Sequence, residues 1–306
     1  MDKGKGYGMN KHELNNQRYA MNYIYPALAY LIITLFFPLC YSLVASFFKW
    51  DLIGDTTRKF IGFQNYINLF QNEEVLKSFG LTFKFVAWAV SIEMTLGFCI
   101  ALFLNRKFRG NKIVRVVLLL PMMLSPTIVA LMWKLVLNAD RGILNYFLSI
   151  VFGRGAAQVW LGKDLAMSTL IFVEIWMNTP FVILMVLAGL QSISQDIVDA
   201  SLVDGATKLQ RIFYITIPSI RSVLLVAIIF RTTFALRNFS LPWVLTSGGP
   251  GNLTNVFSIE LYRQAFSYYH IGYSSALSWI LVIVTFVMSI FYTKLTLHKE
   301  GNKHGK

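Results

Sequence analysis

Apolar positions along this chain come in long unbroken blocks, not as one stripe per helix. Residues 19–48 and 271–293 contain no charged side chain. Either block exceeds the roughly 20 residues that a helix needs to cross the hydrocarbon core of a bilayer. Four further blocks are apolar with a few charges. The pattern predicts six spans, at residues 19–48, 81–105, 114–137, 166–190, 220–245 and 272–293. The first block is too long for a secretory leader and lacks a small-residue cleavage site. The expected fold class is an all-α polytopic membrane protein, with a tail at 1–18, a membrane domain at 19–293 and a second tail at 294–306.

The periodicity changes in the loops. Between the fourth and fifth spans, residues 191–218 place Ile197, Ala200 and Val203, then Leu209, Ile212, Phe213 and Ile217, at helical spacing. Gly205 separates the two sets. Asp196, Asp199 and Asp204 precede Lys208 and Arg211, an order that suits helix dipoles. This reads as helix, glycine turn, helix. Residues 142–148 read as a short interfacial helix, and Thr246-Ser247-Gly248-Gly249-Pro250-Gly251 as a tight turn outside the fifth span.

With 56% hydrophobic and 14% charged residues, the chain cannot cover a soluble domain's surface. The bilayer is therefore a partner. The formal charge of +13 sits in short segments between spans rather than on one basic face, which argues against nucleic acid. Lys3, Lys5, Lys11 and Arg18 precede the first span. Arg106, Lys107, Arg109 and Lys112 follow the second, and Lys294, Lys299, Lys303 and Lys306 follow the sixth. An even number of spans puts all three groups on one side, the cytoplasm, with both termini there. The loops at 49–80, 138–165 and 246–271 mix acids with bases and face outward. Cys40 and Cys99 lie inside spans, so buried thiols are expected and no disulfide. His12, His270, His298 and His304 are scattered, which gives no metal site. No phosphate-binding loop and no Ser/His/Asp set is present. No catalytic residues and no cofactor of its own are expected; if the chain transports a solute uphill, the energy has to come from elsewhere.

Asp199-Ala200-Ser201-x3-Gly205-x9-Ile215-x-Ile217-Pro218 resembles the cytoplasmic signature of binding-protein-dependent ABC permeases, E-A-A-x3-G-x9-I-x-L-P. Asp199 stands for Glu, Ser201 for Ala and Ile217 for Leu; Asp204-Gly205-Ala206 matches the family's usual wording. Three further stretches are similar to the maltose-type carbohydrate branch: Phe60 to Tyr66, Trp176 to Gln191, and Leu245 to Pro250 with Thr254. The resemblance implies the type I importer permease fold in a bacterial or archaeal cell (inner) membrane. It also implies sugar or oligosaccharide import with a second homologous permease, two ATPase subunits that bind the ATP, and an extracytoplasmic solute-binding protein. Asp199, Ala200, Ser201, Asp204, Gly205 and Ala206 would then couple to the ATPase. The small residues would permit close docking, and Asp199 would offer a charge.

Four charges lie deep in the expected spans. At 1.5 Å per residue, Glu174 and Arg237 fall about 12 Å below the outer surface, and Glu93 and Arg231 about 20 Å. Such groups pair or line a polar cavity; Lys84 and Lys134, near outer ends, are expected to snorkel. Glu174, Asn178 and Phe181, with Met177 beside them, share one helical face, as do Arg231, Ala235 and Asn238. The resemblance places both faces, and Met122, on the sugar path. Arg231 has two readings. If Arg237 satisfies Glu174, Arg231 is left for an acidic, uronate-type saccharide; otherwise Glu93 or Glu174 neutralises it internally. Rival functions are an ion-coupled secondary transporter working through Glu93 and Glu174, a membrane-embedded enzyme, and an assembly subunit without a path.

Overall fold

The structure, a computed structural model, describes residues 24–301 except 107, and only the backbone at 154 and 295–301. The N-terminal tail, the first residues of the expected first span, Lys107, His12 and residues 302–306 lie outside the described residues. So do the side chains of His298 and Lys299.

Among the described residues four helices are long and apolar enough to cross a membrane: α1 (Ile24–Ala45) and three others named below. After α1 the chain forms a short antiparallel hairpin, β1 (Phe48–Lys49) with β2 (Lys59–Phe60), then α2 (Gln64–Gln71). Asn65 in α2 donates through Nδ2 to the carbonyls of Ser46 at 2.8 Å and Phe48 at 2.9 Å, which fastens this outer layer to the end of α1. The second long helix is α3 (Glu73–Leu104), capped at its start by the Asn72 side chain.

The third expected span is not a straight rod. It is a pair, α4 (Asn111–Met123) and α5 (Pro126–Val136), bent by 99°. Pro126 is the cause: a residue before proline is pushed out of the α region, and Ser125 is extended at φ −62°, ψ 136°. Next come α6 (Ile143–Phe152), the short helix expected outside the third span, and α7 (Ala166–Gln191), the third long helix.

The loop after α7 is the expected helix–turn–helix, α8 (Gln195–Val203) and α9 (Lys208–Ser219). A 71° bend joins α9 to α10 (Arg221–Leu236). The fifth expected span also breaks, at residues 237–239, before α11 (Ser240–Thr246). Pro242 has no N–H for the carbonyl of Asn238 and its ring crowds that carbonyl. The freed oxygen accepts from Ser258 Oγ at 2.7 Å instead. α12 (Phe257–Tyr262) is tied to α3, where Thr82 Oγ1 accepts from Phe257 N at 2.8 Å. The last helix, α13 (Ile271–Gly301), is the fourth long one. Counting each bent pair as one span gives six.

The core runs along α3 and α7. Phe85, Val90, Leu170, Met177, Ala235 and Leu241 fill its outer half; Leu104, Ile183, Val186, Leu190 and Ile220 fill the other. α1 buries almost nothing within this chain. Cys40 and Cys99 are free and exposed, contrary to the buried thiols expected. A span's lipid-facing side is as apolar as its core, so composition does not reveal which way a thiol points.

α3 and α7 are packed tightly at Gly97, where an added Cβ would fall 2.6 Å from Val182 Cβ. Gly97→Ala should therefore destabilise the chain by about 1–3 kcal/mol. Thermal unfolding in detergent measures it, and Val182→Gly in the same chain, which removes the Cβ that the new methyl meets, should recover part of the loss.

Candidate functional site

α3, α7 and α10 each contribute one charge to a buried cluster. Glu93 is 0% exposed, Glu174 1% and Arg231 3%. Arg231 Nε donates to Glu93 Oε2 at 2.7 Å and Nη2 to Glu93 Oε1 at 3.1 Å, a two-pronged pair. The same Nη2 donates to Glu174 Oε1 at 2.8 Å, and Nη1 to Asn178 Oδ1 at 3.1 Å. Asn238 Nδ2 donates to the remaining Glu174 oxygen at 2.7 Å. Asn178 is itself held by its Nδ2 on the Glu174 carbonyl at 3.2 Å.

The two polar faces read from the sequence do come together, but they close on Glu93 inside the subunit rather than on an open path. Met177 and Ala235 are buried in the core beside the cluster, while Asn178, Phe181 and Asn238 are half-buried. Phe181 lies 6.3 Å from Phe230, ring centre to ring centre. Met122 is half-buried near the end of α4. Beside the bend at α4 and α5 lies an apolar groove of about 620 Å³, lined by Pro121, Leu124, Trp176 and Pro180 among others.

The expectation that Arg237 would satisfy Glu174 is corrected. Arg237 is exposed, and Glu174 is taken by Arg231 and Asn238. Equal depth is not equal direction: the six residues from Arg231 to Arg237 turn about 240° around a helix axis. Glu93 belongs to the cluster although it was not placed on the path; its depth, matching that of Arg231, was the signal. Lys134 does reach an end group, donating to the Val244 carbonyl at 3.1 Å.

Asn238 also sits in the break between α10 and α11, and it bonds both ways. Its side chain holds Glu174 and its carbonyl accepts from Ser258. The break is thus tied to the charged cluster by one residue.

At the other end of α7, Gly205 takes the left-handed conformation, φ +74°. Ala206 N donates to the Ser201 carbonyl at 3.0 Å and Gly205 N to the Leu202 carbonyl at 3.1 Å. This pairing closes α8 as a Schellman motif, in which glycine avoids the steric penalty of the left-handed backbone. Ser201 is buried and its Oγ donates to the Val198 carbonyl at 2.6 Å. Asp199 is exposed, with Gln195 Nε2 on its Oδ1 at 3.0 Å; Ala200 and Asp204 are exposed as well. Thr207 and Gln210 then open α9 with a reciprocal capping box.

Residues 93–297 match the family model described as binding-protein-dependent transport system inner membrane component. The chain belongs to this family. Among its relatives, the trehalose/maltose transport system permease protein MalF of Thermococcus litoralis is 36% identical over 275 residues, covering 88% of this chain and 89% of that protein. A probable ABC transporter permease protein of Sinorhizobium fredii, y4oQ, is 36% identical over 267 residues, with 87% and 85% covered. The sulfoquinovosyl glycerol transport system permease protein SmoG of Agrobacterium fabrum is 28% identical, with 94% and 93% covered. A solved bacterial alginate ABC transporter, in complex with its alginate pentasaccharide-bound periplasmic protein, superposes with a TM-score of 0.80 at 22% identity, covering 92% of this chain and 94% of that one. The architecture is the type I ABC importer permease fold.

The cluster in this permease makes a test. Arg231→Gln leaves two buried carboxylates without their cation and should cost about 3–5 kcal/mol. The triple variant Arg231→Gln, Glu93→Gln, Glu174→Gln should recover most of that, measured as unfolding temperature in detergent. A triple variant as unstable as the single would show that the three charges do not act as one group.

Proposed function

We propose that this permease forms half of the membrane path of an ABC importer for sugars or oligosaccharides, in a cell membrane with both termini cytoplasmic. A second, homologous permease completes the path. Two separate ATPase subunits bind the ATP, and an extracytoplasmic solute-binding protein delivers the solute. The membrane domain spans 19–293, between tails at 1–18 and 294–306.

One observation carries this reading: the exposed helix–turn–helix at α8 and α9 lies on the chain directly between α7 and α10. Those are the helices that hold Glu174 and Arg231. Closure of the ATPase dimer pushes on Asp199, Ala200 and Gly205. Because α3, α7 and α10 are joined by the charged cluster, they turn as one body and switch the path from one side to the other. The names of the relatives, trehalose/maltose and sulfoquinovosyl glycerol permeases, support a carbohydrate solute.

Arg231 argues less strongly for an acidic solute, because Glu93, Glu174 and Asn178 take four of its five N–H donors. Asn178, Phe181, Asn238 and Met122 remain the groups that can meet a sugar as the helices move. An ion-coupled mechanism through Glu93 and Glu174 would have to take those acids away from Arg231.

Two experiments test the proposal. Around Gly205 nothing lies within 4 Å of an added Cβ, so within this chain Gly205→Asn meets no clash and keeps a tolerable left-handed turn. It should insert normally, yet weaken ATPase docking by roughly 1–3 kcal/mol through a crowded interface. The reading is solute-stimulated ATP hydrolysis in the assembled complex; normal stimulation would reduce Gly205 to a turn former. Cysteines placed at Arg109 and Asn252 should react with an impermeant reagent from opposite sides of the membrane. Labelling from one side would break the six-span topology.

A further inference from the structure

Behind the coupling helices, on the side turned toward the bilayer ends of α3 and α7, is a groove of about 540 Å³. Its cationic wall is Arg106, Lys208 and Arg211, and no acidic side chain lines it. Its apolar wall includes Leu102, Leu190 and Ile212. Among the described residues none of the three cations has a carboxylate partner. Arg211 Nε is sealed from solvent and has no acceptor. A fourth cation, Arg115, is held at the same end of α3 by its Nη2 on the Leu104 carbonyl at 2.9 Å, and its Nε also lacks an acceptor.

Enclosed guanidinium N–H groups without acceptors are costly. Three groove cations without a carboxylate partner call for an anion with several acceptor oxygens. The apolar wall alongside adds a second requirement, an attached hydrocarbon. The groove stands where α3 and α7 end, at the depth of lipid headgroups if both helices span the membrane. We propose that this groove binds one anionic phospholipid, its phosphate on Arg106, Lys208 and Arg211 and part of an acyl chain along Leu102, Leu190 and Ile212. A bound lipid would brace the coupling helices against the ends of α3 and α7. The cytoplasmic placement rests on the permease reading above; the binding does not.

The test uses the complex pulled from its own membrane by a tag on this chain, stripped of lipid and returned to nanodiscs of phosphatidylcholine with increasing phosphatidylglycerol. Native mass spectrometry reads the lipid retained. Phosphatidylglycerol should be kept over phosphatidylcholine, and Lys208→Gln or Arg106→Gln should each weaken retention about fivefold, as expected for one basic residue near a lipid surface. Equal retention of the two lipids, or variants that retain phosphatidylglycerol like the wild type, overturns the proposal. Displacement of the lipid by millimolar inorganic phosphate makes the groove a phosphate site and overturns the lipid assignment. Variants that shed the ATPase with lipid retention unchanged make it a protein contact, which overturns it equally. Solute-stimulated ATP hydrolysis on the same preparation separates the two readings. Stimulation without lipid selectivity removes the groove and leaves the permease; selectivity without stimulation does the reverse.

Discussion

One guanidinium shared by two carboxylates holds the middle of this subunit together. Arg231 meets both oxygens of Glu93 and one of Glu174, with all three side chains shut away from solvent. In such surroundings a charge left alone is far more costly than a charge kept paired. The consequence is geometric. α3, α7 and α10 cannot slide or rotate past one another by a turn without separating these groups. Gly97 lets α3 and α7 come close enough for Glu93 and Glu174 to reach one arginine. Asn238 extends the same constraint past the end of α10 into the break caused by Pro242.

On the coupling proposed above, that constraint would give α8 and α9 something rigid to push. α8 and α9 are short, exposed and closed by local bonds: the Schellman turn at Gly205 and the capping box at Thr207. They carry little core of their own. Motion delivered to them passes along the chain into α7 on one side and, through the 71° bend, α10 on the other. Without the cluster these helices would be free to move separately, and the input would be lost in bending. With it, one displacement at the surface becomes one displacement of the bundle. α1 stands outside this body with most of its apolar surface exposed, tied to the last helix where Trp279 Nε1 donates to Ser42 Oγ at 3.2 Å.

Much of this was legible in the sequence, for reasons that differ by element. The six apolar blocks were visible because hydropathy measures transfer into lipid. The bends at Ser125 and at residues 237–239 were not, because hydropathy has no direction; Pro126 and Pro242 were the available signals, and each acts on a neighbour's backbone rather than on composition. Gly205 could be placed because a glycine between two helical periods has few other uses. Cys40 and Cys99 were misplaced because a lipid-facing side chain and a core side chain look alike. Depth found Glu93 for Arg231 but gave Glu174 the wrong partner. Rise along a helix fixes depth, while the angle about its axis decides which group is faced.

The same distinction bears on solute choice. A charged residue at a family's lining position invites the inference that the solute carries the opposite charge. The inference weakens once the residue's hydrogen bonds are counted: four of its five N–H groups already have acceptors. Arg231 directs Nε and Nη2 at carboxylates and Nη1 at Asn178. An acidic sugar would meet at most the remaining Nη1 N–H, beside two buried carboxylates of its own sign. On the function proposed above, recognition would fall to groups that are half-buried and carry no net charge, such as Asn178, Asn238 and the ring of Phe181. Those groups suit hydroxyls and sugar faces. On that proposal Arg231 would act on the solute chiefly through the position it imposes on Asn178 and, by way of Glu174, on Asn238.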